Sequence, residues 1–396
     1  MRRIFIVFIA LLKAASISCQ VSLVTLNSQS QVDSFNINYP EFYGDIQISG
    51  ADIVSLDSMY KLHKVYSLII SMNPCLINID GFGNLETAAE IVINNNDSLK
   101  TINGFNFLKH LTSKITITTN NKLEIISGFN QIDTVDNLFI SANLILEEIS
   151  GFTSLTRIGR RLSLPHNKIL SNLIGFSNLK VIRNLDGYPL FGYAMLEIGE
   201  TDSLTSLIAF SSMVEVEGIT IVACPLLENL NGLQNINCTL KYFRLESNNS
   251  LNDITAMENA QFTDDAVMIF NNLNLMFCSI IGICDIESPT YNLIYNNAPG
   301  CDSWYEIDSI CSMISVTESA VPGFTLFPNP VQDELTVNFG SNQNNFAMSL
   351  YSVSGILIRT YQVYGDNFRM DVSDLPDGLY MLFINNAPVG RFVKRL

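Results

Sequence analysis

Between residues 45 and 276, short apolar-x-apolar stretches recur at a nearly constant interval, and a small polar side chain follows each one three residues on. Ile91-Val92-Ile93 leads to Asn96, Ile115-Thr116-Ile117 to Asn120, Leu138-Phe139-Ile140 to Asn143 and Leu162-Ser163-Leu164 to Asn167. The complete column is Asn73, Asn96, Asn120, Asn143, Asn167, Thr201, Cys224, Asn248 and Asn272. Alternation of this kind predicts short strands with every second side chain turned inward. A second phrase keeps the same beat: Ile79-Asp80-Gly81-Phe82, then Ile102-Asn103-Gly104-Phe105, Ile126-Ser127-Gly128-Phe129, Ile149-Ser150-Gly151-Phe152 and Leu173-Ile174-Gly175-Phe176. Its small residue falls at 58, 81, 104, 128, 151, 175, 209, 232 and 256, in steps of 23, 23, 24, 23, 24, 34, 23 and 24.

A fixed period of this length predicts stacked coils. One coil cannot bury its inner face alone, so neighbours share a continuous core. Nine coils at the usual strand spacing of ~4.8 Å make a rod of roughly 40 Å. Each column Asn can satisfy backbone groups where its strand turns and can pair with the Asn of the next coil. Phe82, Phe105, Phe129, Phe152, Phe176 and Phe210 should form one interior file. Ser58, Ala209 and Ala256 stand where other copies have Gly, so small size rather than a left-handed backbone is the expected constraint there.

Asn or Cys after a strand of alternating Leu or Ile resembles the leucine-rich repeat. The phrase Ile-x-Gly-Phe-x-x-Leu more closely resembles the receptor L domain of cell-surface receptors. The resemblance covers residues 45–276. It implies an all-β dominated chain built on a right-handed parallel β solenoid of about nine coils, and says almost nothing about a ligand. Residues 20–44 are expected to cap its start.

Four cysteines cluster beyond the repeats: Cys278, Cys284, Cys301 and Cys311. In an exported chain they read as two disulfides, with three pairings open. Their spacing matches no common zinc pattern. The run Asn296-Asn297-Ala298-Pro299-Gly300-Cys301 resembles the cysteine-rich end of bacterial surface leucine-rich-repeat proteins, so residues 277–313 are expected to be a C-terminal cap. Of Cys75, Cys224 and Cys238, an odd number, at least one should be a buried thiol.

After a Ser, Thr, Pro and Gly linker at 314–323 the period stops. Short alternating strands with turn signals occupy residues 324–396 and predict a small antiparallel β-sandwich. Phe324-Thr325-Leu326-Phe327-Pro328-Asn329-Pro330-Val331, with Asp333, Leu335 and Val337, resembles the opening of the type A sorting domain of the type IX secretion system. Tyr351-Ser352-Val353-Ser354-Gly355 resembles its middle motif, Asp371 to Tyr380 with Leu375, Pro376 and Gly378 its late motif, and Gly390 to Leu396 with Lys394 its basic tail. The resemblance implies a Bacteroidota source, export through Sec, recognition by the type IX machinery and removal by its sorting protease. Secretion or attachment at the outer-membrane surface would follow.

The N-terminus fits export. Arg2 and Arg3 precede an apolar run from Ile4 to Leu12, too short to span a bilayer, and small residues follow. Residues 1–19 read as a signal peptide, with Cys19 a loose match to a lipoprotein processing site. No later apolar run is long enough for a membrane span.

Composition narrows the partners. Charged residues are only 15% and the formal net charge is −16. Such a balance argues against nucleic acid, whose phosphates need clustered Lys and Arg. Residue chemistry points to no catalytic centre, metal or cofactor. His63, His110 and His166 fall at turns or between strands, and the acid pairs Glu147-Glu148 and Asp264-Asp265 read as solvated. Asp366, Asp371, Asp374 and Asp377 read as turn formers. Asp-Ser or Asp-Thr before an apolar residue, at Asp57, Asp97, Asp133, Asp202 and Asp308, resembles an O-glycosylation site of the same phylum. The step of 34 inserts residues around Asp186 to Ala194, where Tyr188, Phe191 and Tyr193 form a candidate ligand-binding loop; the competing reading folds them over exposed core. The expected function is a binding or adhesion module for a protein or glycan, with a polysaccharide-active β-helix enzyme or a passive coat component as alternatives.

Overall fold

The computed structural model describes residues 23–38, 42–184, 192–264, 266–276, 278–287, 292–314, 325–339, 346–352, 357–376, 378–384 and 387–394. The expected signal segment with Cys19, most of the linker, and Tyr188, Phe191 and Gly355 lie outside these residues.

One long parallel sheet organises the first part of the chain. Its strands follow in chain order: Leu23–Leu26, Asp45–Ile48, Ser67–Ser71, Thr87–Asn94, His110–Thr118, Thr134–Ser141, Arg157–Ser163, Met195–Gly199, Gly218–Val222, Tyr242–Glu246, Val267–Phe270 and Leu293–Tyr295. Every one pairs in parallel with the next, as a coil that returns to the same side must. Register stacks like on like: Ile91, Ile115, Leu138, Leu162, Leu196, Ile219 and Phe243 are direct neighbours and all fully buried. Short strands at Thr101–Ile102, Ile125–Ile126 and Glu148–Ile149 form a separate three-stranded sheet.

The Gly-Phe phrase makes tight turns, 3-10 helical at Asp80–Phe82, Ile174–Phe176, Ile208–Phe210 and Thr255–Met257. Phe82, Phe105, Phe129, Phe152, Phe176 and Phe210 stack face to face, with ring centroids 5.2, 4.7, 5.0, 6.0 and 5.9 Å apart. The preceding residue must be small because backbone crosses beside it. A Cβ on Gly128 would lie 2.1 Å from the Gly104 carbonyl oxygen, and one on Gly151 2.1 Å from that of Gly128. The left-handed backbone sits one residue later, on Phe105, Phe129 and Phe152, at φ 64°, 64° and 60°.

The column amides are fully buried and form a ladder. Where one Asn follows another, the Oδ1 accepts both the backbone N–H and the Nδ2 of the previous coil's Asn, and each Nδ2 also donates to a carbonyl of the previous coil's strand; Asn73, at the start, accepts the Gly50 N–H at 2.9 Å. The Nδ2-to-Oδ1 distances are 3.0 Å for Asn73 to Asn96, 3.1 Å for Asn96 to Asn120, 3.2 Å for Asn120 to Asn143 and 3.4 Å for Asn143 to Asn167. Thr201 and Cys224 interrupt the run; their Oγ1 and Sγ lie 3.1 Å apart, and the Cys224 N–H donates to Asn248 Oδ1 at 3.0 Å. The ladder resumes from Asn248 to Asn272. Non-glycine residues in the left-handed region occupy the place before it in ten successive coils: Met72, Asn95, Thr119, Ala142, His166, Glu200, Ala223, Ser247, Asn271 and Asn296.

Parallel pairing runs past both expected bounds of the solenoid. Leu23–Leu26 pairs with Asp45–Ile48 at the start, and the helix Gln29–Asn38 connects them. At the far end Leu293–Tyr295 adds a strand, and Asn297 Oδ1 accepts from Asn272 Nδ2 at 3.1 Å. The cap is thus also a further coil. Its strand escaped the sequence reading because only three residues form it and no Gly-Phe phrase announces it.

The C-terminal module has its own core, including Val331, Leu335, Val337, Met348, Leu350, Val363, Met370, Leu382 and Phe392. Two antiparallel sheets enclose it. One orders Thr325–Phe327, Glu334–Asn338 and Asn367–Asp371; the other orders Leu357–Val363, Phe346–Ser352, Gly378–Ile384 and Ala387–Lys394. Among the described residues no helix is long and apolar enough to cross a membrane.

Candidate functional site

Side chains that point away from the core along the long sheet make a broad outer face. Register lines up Asn137, Arg161, Met195, Gly218 and Tyr242 in one column, and Phe139, Ser163, Glu197, Thr220, Arg244 and Met268 in the next. The second column is largely half-buried, with Ser163 and Thr220 nearly closed off. Its polar members are tied together: the Ser163 hydroxyl donates to Glu197 Oε2 at 2.7 Å, and Arg161 Nη1 lies 3.8 Å from the same oxygen. Arg244 pairs with Glu246 and sits over the Phe270 ring, 5.6 Å from its centroid. Phe270 stacks in turn on Tyr295 at 5.0 Å.

Of the candidate loop, Tyr193 is described and is 45% exposed. It stands at the rim of the outer face, its ring 6.5 Å from that of Tyr242. A side chain at Gly218 would crowd Tyr242 and Met195, at 3.1 and 3.3 Å. The end of the inserted segment is pinned by Glu217, whose Oε2 accepts the Ala194 N–H at 2.9 Å and whose Oε1 accepts from Lys241 Nζ at 2.9 Å. Partial burial opposes ionisation of Glu217, yet these two donors hold its carboxyl below the usual range. A cavity of about 300 Å³ opens beside Tyr193.

The histidines take up no common site. His166 Nδ1 lies 2.6 Å from Glu200 Oε2 on the surface, His63 Nδ1 lies 3.7 Å from Glu86, and His110 is exposed. Glu148 accepts from Asn172 Nδ2 at 3.1 Å. Asp371 Oδ1 accepts the backbone N–H and hydroxyl of Ser373 in a tight turn, and Asp374 pairs with Arg359. These hydrogen bonds hold both carboxyls below their usual range.

Cys278 bonds to Cys301 and Cys284 to Cys311, stapling the last coil and the helix Trp304–Ile314 to it. Cys75 is exposed and Cys238 half-buried, while Cys224 is buried and its thiol is pushed up to about 11 by desolvation.

Pairing between its two ends explains the spacing of motifs in the C-terminal module. Asn329 Oδ1 accepts the Val393 N–H at 2.9 Å, Asn329 Nδ2 donates to the Arg391 carbonyl at 3.2 Å, and the Val331 N–H donates to the Val393 carbonyl at 2.8 Å. Pro328-Asn329-Pro330 is therefore a clasp on the basic last strand, where Lys394 is 1% exposed. The Asp333 carbonyl accepts the Val372 N–H at 2.8 Å, and the Tyr380 hydroxyl donates to the Pro376 carbonyl at 2.7 Å across the turn that Leu375 and Gly378 flank.

A second amide column went unread in the sequence. Asn130 Nδ2 donates to Asn106 Oδ1 at 3.0 Å, Thr153 Oγ1 donates to Asn130 Oδ1 at 3.1 Å, and Asn178 Nδ2 donates to the Thr153 carbonyl at 2.7 Å. Asn84, Asn235 and Asn259 bridge other coils in the same way. A signal was present: each of these Asn lies two or three residues after the small residue of the Gly-Phe phrase.

Residues 325–396 match the family of secretion system C-terminal sorting domains. No curated protein and no solved structure matches the chain. The match supports type IX sorting for this module, hence interaction with the type IX machinery and secretion or attachment at the cell surface.

Proposed function

We propose that the protein is a non-enzymatic binding module of leucine-rich-repeat or receptor L-domain type, a right-handed solenoid exported to engage a protein or glycan at the cell exterior. The observation that supports it most is the outer face of the long parallel sheet. Stacked coils present side chains there in fixed columns, and the aromatic and charged groups Phe139, Tyr193, Tyr242, Arg244 and Tyr295 stand on or beside it. Solenoids bind on such extended surfaces because neighbouring coils supply a rigid, preorganised array. Export through Sec, driven by the N-terminal segment, and removal of residues 324–396 by the sorting protease complete the reading.

The test has two parts. Fractionation of the native host should find the protein outside the cell without its C-terminal module, and deletion of residues 325–396 should trap it in the periplasm. Purified protein should then bind a defined set of glycans or cell surfaces, with binding lost on deletion of residues 186–194. Exported protein that binds nothing would favour a passive coat component, and turnover of a polysaccharide would overturn the non-enzymatic reading.

A further inference from the structure

Charge is not spread evenly along this acidic chain. From Ile149 to Leu185 the sequence contains Arg157, Arg160, Arg161, Lys168, Lys180 and Arg183 and no Asp or Glu, against a net charge of −16 for the whole. This stretch, next to the inserted segment, is cationic in sequence, and neighbouring coils set Asp136, Glu197 and Glu215 against Arg160, Arg161 and Arg183.

Local backbone gathers part of that charge. Strand Arg157–Ser163 breaks register with its neighbour between Ile158 and Arg161. Regular alternation would send Arg160 and Arg161 to opposite faces. The irregularity leaves Gly159, Arg160 and Arg161 all half-exposed in succession, and both arginines line the cavity of about 300 Å³. Asn137, Phe139, Asn184 and Tyr193 complete its principal walls. Arg160 is oriented by Asp136, its Nε lying 3.3 Å from Oδ2. Arg161 is held more loosely, 3.8 Å from Glu197 Oε2, while Ser163 supplies that carboxylate with a shorter bond.

The combination is selective. Two guanidinium groups recognise an oxyanion through directed N–H donors. Asn137, whose Nδ2 donates to Asp136 Oδ2 at 3.1 Å, and Asn184 add polar amide groups to the lining, of the kind suited to hydroxyls. Phe139 and Tyr193 offer apolar ring faces. The volume lies at the small end of the range for ligand pockets, enough for one or two sugar rings. We propose that this cavity binds an anionic saccharide unit, a sugar ring bearing a carboxylate or sulfate, as part of an acidic polysaccharide. The proposal rests on the binding-module reading and names its ligand class.

Isothermal titration of the purified full-length chain tests it, with oligogalacturonate, a sulfated oligosaccharide and a neutral malto-oligosaccharide of equal length. One or both acidic ligands should bind and the neutral one should not, and the two acidic arms distinguish carboxylate from sulfate. Affinity should weaken as salt rises. Arg161→Gln should weaken binding about tenfold or more, the worth of one charge-assisted hydrogen bond, while Arg161→Lys keeps part of it. Tyr193→Ala should weaken it as well, and Arg369→Gln in the C-terminal module should not. Unchanged thermal unfolding of Arg161→Gln shows that the loss is local. Equal binding of neutral and acidic ligands, or acidic binding indifferent to Arg161→Gln, overturns the pocket. If no acidic saccharide binds while the protein still adheres to cells or to other glycans, the pocket falls and the binding-module reading stands; if nothing binds, both fall.

Discussion

Asn120 Oδ1 accepts two hydrogen bonds from Asn96, from its backbone N–H at 3.1 Å and from its side-chain Nδ2 at 3.1 Å, and all of these groups are buried. One amide thus closes the turn of its own coil and that of its neighbour. Removing it strands donors on Asn96 and the Ile93 carbonyl, which accepts from Asn120 Nδ2 at 3.0 Å. Asn120→Ala should therefore destabilise the solenoid by about 3 kcal/mol, more than the loss of one hydrogen bond, since each orphaned buried group costs about 1–3 kcal/mol. Urea unfolding of the two proteins measures it; a difference below about 1 kcal/mol would mean that water replaces the amide.

Gly128 tests the steric reading of the small-residue column. A Cβ there meets the Gly104 carbonyl oxygen at 2.1 Å and cannot be accommodated without parting two coils. Gly128→Ala should cost about 2 kcal/mol or more, in the range of overpacked cores. Ala209→Gly, at an equivalent place that already accepts a methyl group, should change stability by about 1 kcal/mol at most. Thermal unfolding of both variants side by side gives the comparison.

Thr119 is exposed, β-branched and held at φ 56°. Left-handed backbone disfavours such a residue by about 1–2 kcal/mol. Thr119→Gly should raise stability by about 1 kcal/mol, because relief of strain outweighs the added freedom of the unfolded chain. Thr119→Val, which keeps the branch, should give no gain in the same denaturation assay.

The Cys224 thiol is held neutral by burial, with its pKa pushed up to about 11 from an ordinary 9.0. The unfolded chain loses this proton first as pH rises. The contribution is complete below pH 9 and disappears between pH 9 and 11, amounting to about 3 kcal/mol at 1.36 kcal/mol per pH unit. Cys224→Ser should flatten that part of the stability profile. In native protein at pH 8 a thiol reagent should label exposed Cys75 first and Cys224 only after denaturant is added.

Two disulfides close chain separations of 23 and 27 residues at the end of the solenoid. Loop-closure entropy assigns each roughly 3 kcal/mol. Replacing Cys278 and Cys301 by Ala should lower stability by about that amount and increase amide hydrogen exchange in Leu293–Tyr295 ahead of the central strands. Uniform exchange along the sheet would place the weak point elsewhere.

Periodic features were legible because they are local and repeated. The inward positions of each coil, the Phe file, the amide column and the small residue before each Phe all follow from one coil's needs, so a regular spacing in sequence reports them coil after coil. The C-terminal motifs were equally plain, since Pro328-Asn329-Pro330 and the basic tail are short and distinctive. What had no period stayed hidden. Asn297 extends the ladder from inside a region read only as a cap, and the pairing of Cys278 with Cys301 could not be chosen among three.

From the sequence alone came the coil, its buried side and the sorting module, because side-chain alternation and turn chemistry act between residues a few places apart. Only the tertiary structure decided which distant groups meet. Asn329 clasps Val393 across 64 residues, and the Tyr193 ring comes within 6.5 Å of the Tyr242 ring from another coil. A register shift brings Arg160 and Arg161 into one cavity. Such meetings depend on how whole coils stack, and no local rule of spacing encodes them.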